Sequence, residues 1–433
     1  MTGEADMKIE QIVEAFAELI RIPSVTGSAG EEQACAYLES ILARYGIQSE
    51  RIARIKERPN LLAGIRAAHP QKEPLVLISH IDVVDGDKEQ WSHPVFGGER
   101  AGGRIWGRGT LDTKQLTMME LYAFLRLAGQ EEQLNRDVWF LATIDEEGGS
   151  AYGMEYVKSV RPELFQEAMV INEGGGFPLH INGQDYMMLT VGEKAVCKVR
   201  VWAEGTGGHA SAPGPDQAML KLASGLRRIF AAEKELTCGS HHTQETMKQI
   251  VGSGDWDNAV GADIFGYAGQ NSIGMRNYQI GERSNVIPAC AEAVLEFKVL
   301  PGTRREEIEA FLERQLSGLP IHYEISGYEP GFESNFDNSR LKELAADLDE
   351  AGKRHGFTGR TLPMLALGRT DGRFFGSEGS MVYGCSPLLM EDSFDVVLPK
   401  VHGNNESIGE DSFIFGCRVL DEVIRKNVLG GAQ

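Results

Sequence analysis

Apolar residues at Ile9, Ile12, Val13, Phe16, Leu19 and Ile20 recur at helical spacing, which predicts a surface helix at the start of the chain. The next stretches alternate in type. "GEEQACAYLESILARYG" reads as a helix stopped by Gly46, "PLVLISH" and "DVWFLATI" as fully buried strands, "KQLTMMELYAFLRLAG" as the helix between them, and "EAMVIN" as a third strand. Alternation of this kind predicts an α/β layer with a mostly parallel sheet. From about residue 189 the texture changes. "KAVCKVRVWAEG" alternates as a half-exposed strand, and "DQAMLKLASGLRRIFAAEKEL" is helical. "NSIGMRNYQIG" and "AEAVLEFKVLPG" are strands, "TRREEIEAFLERQLSG" is a helix and "IHYEISGY" a last strand. The order β-α-β-β-α-β predicts a ferredoxin-like α+β module. After about residue 330 the α/β texture returns with "SRLKELAADLDEAGKRHG", "PMLALG" and "SMVYG". The expected organisation is a catalytic α/β domain in two parts, 1–188 and 330–433, with a second domain, 189–329, inserted between them. Within the insert, the run 236–270 is too long for a plain connection and is expected to be a functional excursion.

At 433 residues the chain exceeds the size at which one core stops growing, which agrees with two domains. With 42% hydrophobic and 24% charged residues it has an ordinary globular composition, and no apolar run approaches the roughly 20 residues of a membrane span. Its first residues are acidic where a signal peptide is basic, so a cytoplasmic location is expected. The six cysteines (35, 197, 238, 290, 385 and 417) stand singly with no CxxC, as buried thiols would in a reducing compartment. A net charge of −20 argues against nucleic acid or an anionic membrane as partner. A small molecule or a metal cation remains.

Candidate chemistry gathers at the strand ends, where open α/β sheets bind ligands. "PLVLISHID" delivers His80 and Asp82, "FLATIDEE" delivers Asp145, Glu146 and Glu147, and "MVINEGGG" delivers Glu173. Asp112 lies in "GRGTLDTK", just before a helix. Acids converging on a buried rim repel one another and lose hydration, a cost that bound divalent cations remove. Imidazole mixed with carboxylate suits zinc, cobalt or manganese better than calcium, and the lack of nearby cysteines argues against a closed structural zinc site. His80 and Asp82, two apart in an extended strand, share a face, so Asp82 can hold the second ring nitrogen of a metal-bound His80. Glu146 and Glu147 are adjacent and cannot both face one metal from a regular strand. One of them is expected to be a ligand and the other a base.

"SHIDVVDGDKEQW", "GRGTLDTK", "DEEGG", "NEGGG", "GGHASAP", "SNVIP", "VLPG", "RTDGRFF" and "VHGNNE" follow one another across nearly the whole chain. In this order they resemble the co-catalytic dizinc aminoacylase/carboxypeptidase family, with wording nearest the carboxypeptidase S and N-acyl-amino-acid hydrolase branch. The resemblance implies two divalent ions per chain, Zn2+ first and Co2+ or Mn2+ as substitutes, bridged by Asp112. His80 and Glu173 would complete one site, and Glu147 and His402 the other. It makes Glu146 the general base and Asp82 the residue behind His80. It nominates His209 as an oxyanion donor reaching the other subunit of a homodimer formed through the insert, and Arg373 with Asn285 as holders of a substrate carboxylate. The implied reaction is hydrolysis of an amide bond in an N-acyl-amino acid or a short peptide with a free carboxylate. Two alternatives stand beside it: a dizinc aminopeptidase or dipeptidase, which needs an acidic pocket for a substrate amine, and a metal-binding paralogue without turnover. The chain departs from the family at Lys298, where "R-x-L-P-G" has arginine, at Asp85 in place of proline, and at Gln115 in place of glycine or asparagine.

Overall fold

The structure is a computed structural model that describes residues 7–236, 239, 242–252, 269–281, 284–334, 338–366, 368–376 and 378–429. Much of the expected excursion at 236–270, together with Cys238 and residue 241, lies outside the described residues. The chain divides into two compact units: residues 1–191, 246–261 and 334–433 form the larger, and residues 192–245 and 262–333 the smaller. The expected junctions were near 188/189 and 329/330.

In the larger unit, helix α1 (Ile9–Ile20) buries its apolar stripe, including Ile12, Val13, Phe16 and Leu19. Helix α2 (Gly30–Arg44) ends just before Gly46, whose left-handed backbone (φ 74°) suits a residue without a side chain. Strands β1 (Ser49–Ala53), β2 (Pro59–Ile65) and β3 (Leu75–His80) follow, then helix α3 (Lys114–Leu125) and strands β4 (Val138–Thr143), β5 (Met169–Asn172) and β6 (Gln184–Glu193). Every residue of β3 is buried, as expected of a strand covered on both faces. After the smaller unit come helix α4 (Ser339–Arg354), strands β7 (Arg360–Ala366) and β8 (Met381–Gly384), and helix α5 (Glu410–Val428).

The sheet runs β1-β2-β4-β3-β5-β8-β6. Its middle four strands, β4, β3, β5 and β8, are parallel, and β1, β2 and β6 join antiparallel at the two sides. The parallel heart is what the sequence pattern predicts; the antiparallel flanks β1 and β2 carry too little alternation to announce themselves. Helix α3 is buried at every position, rests on β3 and β4, and is itself covered by α5. The parallel register brings the carboxyl ends of β3, β4 and β5 to one rim: His80 pairs with Thr143, two residues before Asp145, while Asn172 ends β5 directly before Glu173.

The main sheet of the smaller unit is four-stranded among the described residues, Ala195–Glu204, Ser272–Ile280, Cys290–Val299 and His322–Glu329 in the spatial order second, third, first, fourth, all antiparallel. Helices Ala218–Ala231 and Arg305–Leu316 pack against each other, and Ala218–Ala231 lies on the two central strands. This is the β-α-β-β-α-β ferredoxin-like order. The core alternates as a half-buried sheet should, with Cys197, Val199, Val201, Leu295 and Phe297 inward. Cys35, Cys197, Cys385 and Cys417 are buried, but Cys290 is exposed, because it stands at the first position of its strand, where the alternation points outward.

Candidate metal centre

His80, the last residue of β3, is buried and has each ring nitrogen committed. Nδ1 lies 2.9 Å from the backbone carbonyl of Asp82, which can only accept, so Nδ1 carries a proton and Nε2 is the nitrogen left to face the carboxylates or an ion. Nε2 lies 3.1 Å from Asp112 Oδ1 and 3.4 Å from Glu173 Oε2. A second group forms on the other side of Asp112, where His402 Nε2 is 3.0 Å from Asp112 Oδ2 and 2.8 Å from Glu147 Oε1. Thus two triads, His80/Asp112/Glu173 and Asp112/Glu147/His402, share one carboxylate that sends a different oxygen to each. Two imidazoles and three carboxylates converging in this way form a donor set that fits two borderline divalent cations.

The electrostatics are those of a site with too much negative charge. Burial alone pulls the His80 imidazole down, yet the carboxylates of Glu173 and Asp112 together push it well above its ordinary value. Hydrogen bonds that the ring donates to Asp112 and then to Glu147 raise His402 to about 10. For Asp112 burial works upward, but the two imidazoles outweigh it and hold the carboxyl below its usual range. Glu173 is raised by burial. Glu146, which belongs to neither triad, is raised well above the carboxylate range by burial first and the nearby Glu173 charge second. Burial and a like charge nearby are the two influences that make a carboxyl more basic.

The turn that carries these acids is organised from a distance. Asp145 has a left-handed backbone (φ 65°), as does His402 (φ 58°), a conformation that non-glycine residues adopt sparingly and that gathers at functional sites. The Asp145 carboxylate accepts from Arg58 Nη2 (2.7 Å) and from the Tyr152 amide (2.9 Å). Arg58 also grips Glu31 through two hydrogen bonds of 2.6 and 2.8 Å and lies over the Tyr152 ring. Asp82 departs from the sequence expectation in one respect. Its carboxylate is 3.6 Å from His80 Nδ1, whose hydrogen bond goes to the Asp82 backbone carbonyl instead. The carboxylate turns the other way and accepts from the amides of Glu146 (3.2 Å) and Glu147 (3.3 Å) and from the Thr26 hydroxyl (2.7 Å). Burial pushes it up to about 7.

Arg373 Nη1 lies 3.7 Å from Glu146 Oε1 and 3.9 Å from Asp371 Oδ1. Its fork donates to the Thr370 carbonyl (2.6 Å) and to the Ser150 hydroxyl (2.9 Å), and Asp371 accepts from Ser150 (2.6 Å) and Thr143 (2.9 Å). In the smaller unit, His209 and Asn285 are neighbours: Gly208–His209 pairs with Val286–Ile287, and the Ala210 amide donates to the Asn285 carbonyl at 2.9 Å. Both side chains are exposed, and His209 Nδ1 contacts the Ser211 hydroxyl at 2.7 Å. Lys298 Nζ lies 3.5 Å from Glu296. Sequence reasoning passed over Arg58, Glu31, Ser150, Arg108 and Glu406, and placed Asp371 only as an ion-pair partner for Arg373, from which it lies 3.9 Å. Arg108 and Glu406 stood inside the quoted runs "GRGTLDTK" and "VHGNNE", a basic residue four positions before Asp112 and an acidic one four positions after His402, which was a readable signal.

The model of peptidase family M20/M25/M40 matches residues 76–426. The chain belongs to this family. Among its relatives, the human N-fatty-acyl-amino acid synthase/hydrolase PM20D1 is 24% identical over 95% of this chain and 87% of its own length. Aminoacylase-1 of Sus scrofa is 26% identical over 95% of this chain and 94% of its own. Two solved structures share the fold. The M20 family metallo-carboxypeptidase Sso-CP2 from Sulfolobus solfataricus has a TM-score of 0.72 at 18% identity, covering 97% of this chain and 99% of that one. Human carnosine dipeptidase 1 has a TM-score of 0.66 at 15% identity, covering 96% of each. As an M20 member the chain is a metallohydrolase of amide bonds. No helix among its described residues is long and apolar enough to cross a membrane.

Proposed function

We propose that the chain hydrolyses the amide bond of an N-acyl-amino acid, or of a short peptide ending in a free carboxylate, with two divalent ions, zinc foremost, that Asp112 would share. The observation that carries this reading is the pair of triads sharing Asp112, with Glu146 beside them in neither. Relatives named as an N-acyl-amino acid hydrolase and as aminoacylases support the substrate class. His80 and Glu173 would hold one ion, Glu147 and His402 the other. Ions held there would supply Lewis acidity to the scissile carbonyl and lower the pKa of the attacking water.

The remaining work falls to this chain's own groups. Glu146 takes the proton of the attacking water and returns it to the leaving nitrogen, which must be protonated to depart. Asp82 holds the turn in place, since its carboxylate caps the amides of both Glu146 and Glu147. Arg373, within 4 Å of Glu146, receives the substrate carboxylate, for which a planar guanidinium offers two parallel hydrogen bonds. His209 and Asn285 together present donors to the developing oxyanion. We assign the inserted unit to lid closure and to formation of a homodimer in which His209 serves the partner subunit's site. The five described cysteines are all free, which supports a reducing, cytoplasmic compartment.

The test is a panel of N-acyl-amino acids and dipeptides, each as free acid and as carboxyl amide, offered to zinc- or cobalt-reconstituted protein of measured metal content. Two metals per chain and preferential turnover of free acids are expected. A metal content near zero after reconstitution would sink the dinuclear reading. Equal turnover of acids and amides would remove Arg373 as carboxylate partner.

A further inference from the structure

The two triads are built on unequal foundations. His80 ends a fully buried strand and Glu173 follows another, so their shared site rests on two paired elements of the parallel sheet. His402 and Asp112, by contrast, stand on irregular backbone, and the His402 side chain is 52% exposed. Ligands on loops need supporting contacts to stay within a few tenths of an ångström of a working geometry. One buried ion pair joins these two loops. Arg108 and Glu406 are 2% and 0% exposed, with Nη1 2.7 Å from Oε2. Arg108 Nη2 donates to the Gly403 carbonyl at 2.8 Å, next to His402. Glu406 Oε1 accepts from the amides of Gly109 (3.1 Å) and Leu111 (2.7 Å), next to Asp112. The Gly107 amide donates to the Glu406 carbonyl at 3.0 Å, and Ser407 pairs with Trp106 immediately beyond. Each residue thus grips the backbone of the loop that the other comes from.

We propose that the Arg108–Glu406 pair is a positioning clamp that sets the separation of Asp112 and His402, so that the Asp112/Glu147/His402 half of the centre depends on it and the His80/Asp112/Glu173 half does not. Neither residue touches a reacting atom. Both act through the backbone next to a ligand, and Asp112's carboxylate can keep its bond toward His80 while its other oxygen loses alignment with His402. This inference rests on the two-metal reading above.

The test is stepwise Co2+ titration of metal-free protein, followed by visible absorption and chelator competition. Glu406→Gln keeps shape and removes charge. The doubly neutral Arg108→Met, Glu406→Gln chain leaves no buried charge unpaired and so guards against a simple folding failure. In wild type, two equivalents are expected with distinct spectra. In both variants the first equivalent should bind as in wild type and the second about 10–100-fold more weakly, the usual effect of losing a group that orients a ligand. Hydrogen exchange of the Gly109 and Leu111 amides in metal-free protein should speed up in the variants. Two equivalents bound with wild-type affinity by the variants would overturn the clamp, and equal weakening of both would overturn its restriction to one half. If wild type takes fewer than two equivalents, the dinuclear reading fails. Unchanged exchange at Gly109 and Leu111 would then overturn the clamp on its own terms.

Discussion

Arg58→Met probes what holds the acidic turn in place. Arg58 gives Glu31 two hydrogen bonds and Asp145 one, and those carboxylates are 0% and 6% exposed. Methionine preserves the apolar stem and leaves both acids without a countercharge. Each acid can escape by taking up a proton, which at pH 7 costs an ordinary carboxyl about 3.5–4 kcal/mol and caps the loss per group. Glu31 keeps the Gly27 amide as donor and Asp145 keeps the Tyr152 amide, so part of each charge stays satisfied. The combined loss is therefore expected at about 3–5 kcal/mol, the range for breaking a buried pair. At pH 5 the same protonation costs only about 1–1.5 kcal/mol per group, so the deficit should fall to roughly half or less. The sign follows from linkage: the folded variant binds protons that its unfolded chain does not, so acid stabilises it relative to wild type. Urea unfolding of metal-free protein, read by tryptophan fluorescence at pH 7 and pH 5, measures both quantities. A deficit under about 1 kcal/mol at pH 7, or one that does not change with pH, would refute the reasoning.

Glu146→Gln should keep both metals and lose roughly 10²-fold or more in turnover, because it removes a proton acceptor and no ligand; retained activity in a homogeneous sample would move the base elsewhere. Mixing inactive Glu146→Gln with inactive His209→Ala protein should restore partial activity if the residues meet across subunits, and no recovery despite proven subunit exchange would place His209 in its own subunit or outside the mechanism. Lys194 is buried, with Nζ donating to the Gln270 carbonyl at 2.6 Å, and burial first, then Lys298, lower it from 10.5 to about 8. The unfolded chain holds that proton up to a higher pH, so stability should rise between about pH 8 and 10.5, by about 3 kcal/mol at most. Lys194→Met should flatten that rise, and an unchanged pH profile would dismiss the effect.

The residue pattern by itself determined a good deal. Buried β3, β4 and β5, the helix α3 between them and the β-α-β-β-α-β order of the insert follow from period and composition, because each depends on neighbours a few positions away. The chemical types at the strand ends were equally plain, since strand direction alone sends His80, Glu146, Glu147 and Glu173 to one rim. Only the tertiary structure decided which atom faces which. Glu147 meets His402 from 255 positions away and Asp145 meets Arg58 from 87, and no local period encodes either pairing. Asp82 reads from the chain as the holder of His80, yet once folded its carboxylate serves two amides and a hydroxyl while its carbonyl serves the imidazole. Spacing shows which side chains share a face, but a carboxylate satisfies whichever donors the fold brings within hydrogen-bonding reach. That Glu147 joins His402 and Asp112 while Glu146 stands outside both groups has the same origin. The two glutamates are identical in type and adjacent in sequence, and the difference between them arises where a left-handed Asp145, held by Arg58, turns the chain at the rim of the sheet.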